Sequence, residues 1–174
     1  VLPSTGMLMN NSVSYFEPRP GYLTTMEGHK RINASNMCPT LCVRDNQALF
    51  AVGASGANYI VPCTLQITAF LLDYGVSLED AFNLPRIDAG GRSSIRVDPA
   101  VGEDVVAALA EEFELEIAQN LVFPKLFSCP SGVWRDPKTG TTLGAGDKAN
   151  PVAGAVAEGP FRMETSDVSA AVRA

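Results

Sequence analysis

Leu49-Phe50-Ala51-Val52-Gly53-Ala54-Ser55-Gly56-Ala57-Asn58 carries a β-favouring run into a string of small residues, and the segment after it sets the architecture. Apolar side chains there recur at Ile60, Cys63, Ile67, Phe70 or Leu71, and Tyr74, the spacing of one helix face. Pro62 fits only the first turn of such a helix, and Gly75 stands where a left-handed residue would end it. Val61, Leu65 and Leu72 form a second apolar stripe, which predicts a helix buried on most sides.

Working outward, residues 40–43 and 49–52 favour strands and flank Arg44-Asp45-Asn46-Gln47-Ala48, whose Asp-Asn centre suits a tight reversal. That predicts a hairpin. Residues 6–9 read as a short buried strand broken by Asn10-Asn11-Ser12, and residues 17–28, with Pro18, Pro20, Gly21 and Gly28, read as an irregular loop. On the other side, Ser77-x-x-Asp80 is an N-cap signature before a short helix that must stop by Pro85. Residues 86–89 and 94–97 read as short strands, and residues 102–113 as a helix whose faces Val105, Ala108, Leu109 and Glu112 divide. Residues 132–135 and 141–145 flank Asp136-Pro137-Lys138-Thr139-Gly140, a second hairpin. Strands, a buried helix, further helices and then strands predict an α+β sandwich rather than alternating β-α units.

A length of 174 residues suits a single domain, 1–174, with residues 160–174 expected to fray. The chain starts at Val1 with neither a basic start nor an apolar core of a signal peptide, so it is expected to be a piece of something longer. A net charge of −6 without a local Lys/Arg cluster argues against nucleic acid and anionic lipid as partners. The richest apolar run, residues 60–74, is interrupted by Pro62, Thr64, Gln66, Thr68 and Asp73 and falls short of the ~20 residues a membrane span needs. The chain is therefore expected to be soluble, in the cytoplasm or a bacterial periplasm.

Four cysteines, at 38, 42, 63 and 129, lack the paired spacing of a zinc site, and His29 is the one histidine. Buried free thiols are the expectation, with no metal and no cofactor, although four thiols can also form two bridges or a thiol or metal module. A serine triad fails because His29 lies in the Pro/Gly-rich loop and no Gly-x-Ser-x-Gly elbow exists. No basic cluster surrounds any cysteine to raise its thiolate fraction. The strand-to-helix junction at residues 53–58 is the strongest candidate. Small residues there admit close approach, and the first N–H groups of a helix can stabilise an anion or a developing oxyanion. The alternative is that Ser55 or Asn58 merely caps the helix.

Taken together, Gly6-Met7-Leu8-Met9-Asn10-Asn11, then Lys30-Arg31, Met37-Cys38-Pro39-Thr40, and Gly53-Ala54-Ser55-Gly56-Ala57 resemble successive motifs of the γ-glutamyltransferase (γ-glutamyl transpeptidase) family, in its order and spacing. Leu71-Leu72-Asp73-Tyr74-Gly75 and Ala81-Phe82-Asn83-Leu84-Pro85-Arg86 resemble its following helical stretch, and Asp147-Lys148 its Asp-Pro-Arg. The similarity covers most of residues 6–158 and points to the C-terminal part of the small subunit of a divergent member.

That resemblance implies an αββα N-terminal nucleophile fold, made as a precursor that cuts itself into a large and a small subunit. The nucleophile is the small subunit's new N-terminal threonine, whose own α-amine, with a pKa of about 8, serves as base. That threonine is expected before Val1, so the chain by itself should be inactive, with the large subunit and the missing start of the small subunit as partners. The substrate class is a small γ-glutamyl, glutathione-like or related acyl amide, cleaved through an acyl-enzyme. Gly56 and Ala57 fall at the oxyanion-hole N–H groups, with Ala in place of the usual second Gly. Asn11, Ser12, Tyr15, Ser35 and Asn36 fall at the substrate-binding positions. Ser12 replaces a usual glutamine, and Tyr15 stands where the family has an acidic residue for the substrate's α-ammonium. A phenol cannot neutralise that charge at neutral pH. Either Glu17 compensates or the acyl group lacks the amine. A catalytically inactive binding or scaffold relative is the alternative.

Overall fold

The computed structural model describes residues 3–6, 37–90 and 93–156. A four-stranded antiparallel sheet in the order β1-β2-β6-β7 forms from β1 (Thr40–Arg44), β2 (Gln47–Ser55), β6 (Cys129–Arg135) and β7 (Thr142–Gly146). The first hairpin turns at Asp45 and Asn46, with φ 51° and 60°. Two consecutive left-handed residues make the primed turn that matches strand twist, and Asp and Asn tolerate that region. Gln47 and Ala48, expected in the turn, belong to β2, because two residues suffice to reverse the chain. The second hairpin is held by the Asp136 carboxylate, which accepts from the Lys138 N–H at 2.8 Å and the Thr139 hydroxyl at 2.9 Å.

Between the hairpins lie α1 (Ile60–Leu72), α2 (Leu78–Asn83), β3 (Ile87–Asp88), β4 (Ile95–Val97), α3 (Glu103–Glu112) and β5 (Leu115–Ile117). α1 ends as expected, with Gly75 left-handed at φ 63° and the Val76 N–H donating to the Phe70 carbonyl at 3.1 Å. α2 starts at its Ser77 cap, where the hydroxyl oxygen accepts the Asp80 N–H at 3.1 Å. β3, β4 and β5 form a small second sheet. Gln66 of α1 joins it to the rest, donating to the Ile87 carbonyl at 2.7 Å and accepting the Ile87 N–H at 2.9 Å.

The core lies between the four-stranded sheet and its helices. Phe50 and Val52 meet Cys63, Ile67 and Leu71 of α1 and Leu78, Ala81 and Phe82 of α2. Phe50 stacks on Trp134 with ring centroids 5.8 Å apart. Each fully buried large side chain here contributes roughly 1.5–3 kcal/mol. A Cβ on Gly132 would come within 2.7 Å of the Ala51 carbonyl oxygen and 3.2 Å of Phe82, so only glycine lets β6 pass beneath the phenyl ring.

Two expectations for α1 change. Val61, Leu65 and Leu72 are 40, 68 and 39 % exposed, and Tyr74 is 75 % exposed. A helix lying on one sheet buries one stripe, and no described residue covers the other. The far face of the four-stranded sheet carries Leu41, Ala51, Gly53, Ser131 and Val133, with Leu41 64 % and Val133 46 % exposed. One helix layer on one sheet whose other face is apolar is the arrangement of half an αββα sandwich.

The four thiols are free, and Cys63 is the buried one. Among the described residues no group of three or more metal-ligating side chains gathers, which gives the thiol or metal module no support. Also among the described residues, no helix is long and apolar enough to cross a membrane. Burial pushes the Cys63 thiol up to about 11 from an ordinary value of 9.0. The fold therefore keeps its proton where the unfolded chain has lost it. This contribution is intact below pH ~9 and disappears as pH rises towards ~11, by on the order of 2–3 kcal/mol. Urea midpoints between pH 8.5 and 10.5 should fall more steeply for the wild type than for Cys63→Ala. Parallel slopes would refute this.

Candidate active-site turn

β2 delivers the chain to Ser55 and α1 takes it away from Ile60, so residues 56–59 must turn it sharply. Gly56 does so at φ 146°, ψ 31°, a region that a side chain disfavours, and Ala57 follows at φ 50°. Ala57–Tyr59 is a single 3-10 turn closed by the Tyr59 N–H donating to the Gly56 carbonyl at 3.0 Å. Neither N-cap residue, Gly56 for this turn or Tyr59 for α1, supplies a side-chain cap. No described residue accepts a hydrogen bond from the N–H of Gly56 or Ala57. Gly56 is half-buried and Ala57 exposed. Adjacent amides of this kind are suited to an anion or to an oxygen on which negative charge develops.

Residues far away in sequence hold the turn. Ser128, 1 % exposed, donates its hydroxyl to the Ser55 carbonyl at 2.8 Å. A Cβ on Gly56 would sit 2.8 Å from the Ser128 Oγ and 3.0 Å from its Cα, so the two backbones touch. Arg86 of the link between α2 and β3, 3 % exposed, fixes Ser128 from behind. It donates to the Ser128 carbonyl at 3.1 Å and to the Phe82 carbonyl at 3.0 Å. Its charge is met by Asp147, 3.7 Å away and 1 % exposed, which Lys125 also approaches at 3.1 Å. Asp147 is fixed in turn, its Oδ1 accepting the Ala149 N–H at 2.9 Å and its own N–H donating to the Pro130 carbonyl at 2.9 Å.

The other side is braced as well. Gly90 lies so close that a Cβ on it would come within 2.9 Å of the Asn58 carbonyl oxygen. The Arg96 guanidinium sits 5.3 Å from the centre of the Tyr59 ring. It donates to both Glu116 oxygens, at 3.0 and 3.1 Å, and to the Leu126 carbonyl at 2.6 Å.

Of the residues singled out from sequence, Gly56 and Ala57 come together in this turn. Asn11, Ser12, Tyr15, Ser35 and Asn36 lie outside the described residues, as do His29, most of the strand expected at residues 6–9, the loop at 17–28 and the tail at 160–174. Sequence reading passed over Ser128. A serine between Phe127 and Cys129 carries no motif, and it matters only because folding brings it to a carbonyl 73 residues away.

The sequence profile described as Gamma-glutamyltranspeptidase matches residues 1–157. The Acylase ACY 1 proenzyme of Pseudomonas sp. (strain V22) is 36 % identical over 107 residues, covering 62 % of this chain and 19 % of that protein. The Glutathione hydrolase proenzyme of Bacillus subtilis (strain 168) is 31 % identical over 109 residues, covering 63 % of this chain and 18 % of that protein. The chain thus spans about a fifth of the length of the curated relatives it matches. Among solved structures, the Helicobacter pylori gamma-glutamyltranspeptidase T380A mutant superposes with a TM-score of 0.64 at 22 % identity, covering 84 % of this chain and 82 % of that one. Cephalosporin acylase from Bacillus halodurans superposes with a TM-score of 0.69 at 22 % identity, covering 86 % and 27 %. The structural likeness is in fold: α+β, part of an αββα N-terminal nucleophile hydrolase sandwich.

Proposed function

The chain belongs to the gamma-glutamyltranspeptidase family, and from that premise we propose that it is part of an N-terminal-threonine amidohydrolase or acyltransferase acting on γ-glutamyl or related acyl amides. It supplies the oxyanion-binding turn and part of the substrate pocket. The threonine comes from a segment of the precursor outside residues 1–174. The observation that carries this reading is the pair of N–H groups at Gly56 and Ala57, which have no acceptor among the described residues and are braced from two sides.

The chemistry builds on that turn. The threonine hydroxyl attacks the amide carbonyl while its own α-amine takes the proton. The carbonyl oxygen becomes an oxyanion against the N–H groups of Gly56 and Ala57. Collapse of the tetrahedral species breaks the C–N bond, the α-ammonium returns its proton to the leaving amine, and an ester on the threonine remains. Water or an acceptor amine then releases the acyl group through a second tetrahedral species held by the same amides. The large subunit and the start of the small subunit complete the site. The apolar sheet face around Leu41 and Val133, which the described residues leave largely exposed, supports a further layer there.

Asn11, Ser12, Tyr15, Ser35 and Asn36 are proposed to line the acyl pocket. Tyr15 favours a second reading of the substrate, an acyl group without the α-ammonium, because a phenol leaves that charge unpaired. The test expresses the precursor together with its upstream sequence. Self-cleavage before a threonine is expected, followed by amine release from γ-glutamyl anilide or, on the second reading, from an anilide whose acyl group lacks the amine. A cleaved, folded protein that hydrolyses neither anilide would end the proposal.

A further inference from the structure

We propose that Ser128 is a positioning residue for the reaction, its hydroxyl locking the Ser55–Gly56 peptide plane and thereby aiming and polarising the Gly56 N–H. The inference rests on the reading of Gly56 and Ala57 as oxyanion donors. It adds the side chain that makes one of them a fixed donor.

The argument starts from peptide geometry. The carbonyl of Ser55 and the N–H of Gly56 belong to one planar unit, and across a trans bond they point in opposite directions. The bond joining Ser55 to Gly56 is trans. Whatever fixes the carbonyl therefore fixes the line along which the N–H points. Ser55 is the last residue of β2 and pairs with Cys129, and because Pro130 has no N–H that pairing puts the Cys129 N–H on the Ser55 carbonyl; beyond Ser55 the ladder holds nothing. Gly56 at φ 146° has no side chain of its own to anchor the turn. The Ser128 hydroxyl, donating at 2.8 Å to the same Ser55 oxygen, adds a side-chain restraint to that of the ladder and fixes the plane from a second direction.

The same bond acts electronically. A donor on the carbonyl oxygen draws charge through the amide and strengthens the hydrogen bond its N–H can give, an effect on the order of 10–30 % per bond. It operates at a buried side chain, 1 % exposed, where water does not compete. Ser128 itself has little freedom. Its carbonyl accepts from Arg86 at 3.1 Å, and its Cα sits 3.0 Å from where a Gly56 Cβ would stand. Any slack in this clamp would move the donor away from the reacting oxygen, and transition-state stabilisation by such donors is sensitive to small displacements.

The experiment uses the self-cleaved precursor with Ser128→Ala and Ser128→Cys, the second keeping a side chain of similar size with a weak donor. Carbonyl-¹³C serine and ¹⁵N-glycine labelling marks the Ser55–Gly56 pair, with Ser131–Gly132 as internal reference. For Ser128→Ala, kcat on the anilide should fall about tenfold while KM stays within about twofold, since the effect is on the transition state. The Ser55 carbonyl and Gly56 nitrogen resonances should move together, and Ser128→Cys should fall between the two proteins in both measures. If Ser128→Ala does not fold, Ser128→Cys carries the comparison alone. Unchanged kcat with unchanged Ser55 and Gly56 resonances would overturn the proposal, and so would a loss confined to KM. Should the wild type cleave no acyl amide while the resonances still move, the plane lock stands and the functional reading above is what fails.

Discussion

Gly56→Ala is expected to lower stability by about 3 kcal/mol and to cut amide turnover by roughly a hundredfold or more. Two costs combine at this position. The backbone sits at φ 146°, where an L side chain is strained, by about 1–3 kcal/mol. The added Cβ would also lie 2.8 Å from the Ser128 Oγ and 3.0 Å from its Cα. Ser128 has little room to retreat, because it is 1 % exposed and Arg86 holds its carbonyl. The turn must yield instead, and the Gly56 and Ala57 amides move with it. Losing one well-placed oxyanion donor costs about 3–4 kcal/mol in the transition state, which sets the expected fall in kcat. Ala57→Gly provides the contrast. It relieves a left-handed alanine at φ 50° and keeps the N–H, so it should gain about 1 kcal/mol of stability with turnover retained. Urea unfolding and initial rates on the anilide measure both variants. Wild-type turnover in Gly56→Ala would remove this turn from the reaction.

The sequence displayed those parts of the fold that rest on local chemistry. Asp45-Asn46 announced a tight reversal because both residues tolerate positive φ, and Ser77 announced its helix because its oxygen can take the Asp80 amide. The end of β2 was harder. Gly53, Ala54 and Ser55 have weak strand preference and read as a flexible junction, yet they pair with Ser131, Pro130 and Cys129 of β6. A partner strand supplies what propensity lacks, and that partner, beginning Cys-Pro-Ser, gave no alternation to detect. α1 shows the converse. Its second apolar stripe signalled burial correctly only if something packs there, and no described residue does. For the site, the glycine-rich turn was visible from residue type alone. Its supports were not, since Arg86, Ser128 and Asp147 converge from separate segments and no spacing rule links them.

Those supports lead to the second large effect. Asp147→Ala should destabilise the protein by about 3–5 kcal/mol, the usual consequence of stranding one member of a buried ion pair. Arg86 is 2 % exposed at its side chain and, among the described residues, would keep only the carbonyls of Phe82 and Ser128 as partners. Lys125, 26 % exposed, can turn to water and would contribute little. The double variant Arg86→Met with Asp147→Leu removes both charges and should recover most of the lost stability, because an apolar pair of similar volume often matches a buried salt bridge. Activity should not recover with it. The Ser128 carbonyl loses its Arg86 donor in the double variant, so the clamp on the Ser55–Gly56 plane loosens while the fold regains its strength. A double-mutant cycle read by urea midpoints and by kcat on the same preparations separates the two roles. Recovery of both quantities together would mean that the pair serves the fold alone, and loss of both in the double variant would mean that the guanidinium's hydrogen bonds, rather than its charge, hold this corner of the molecule.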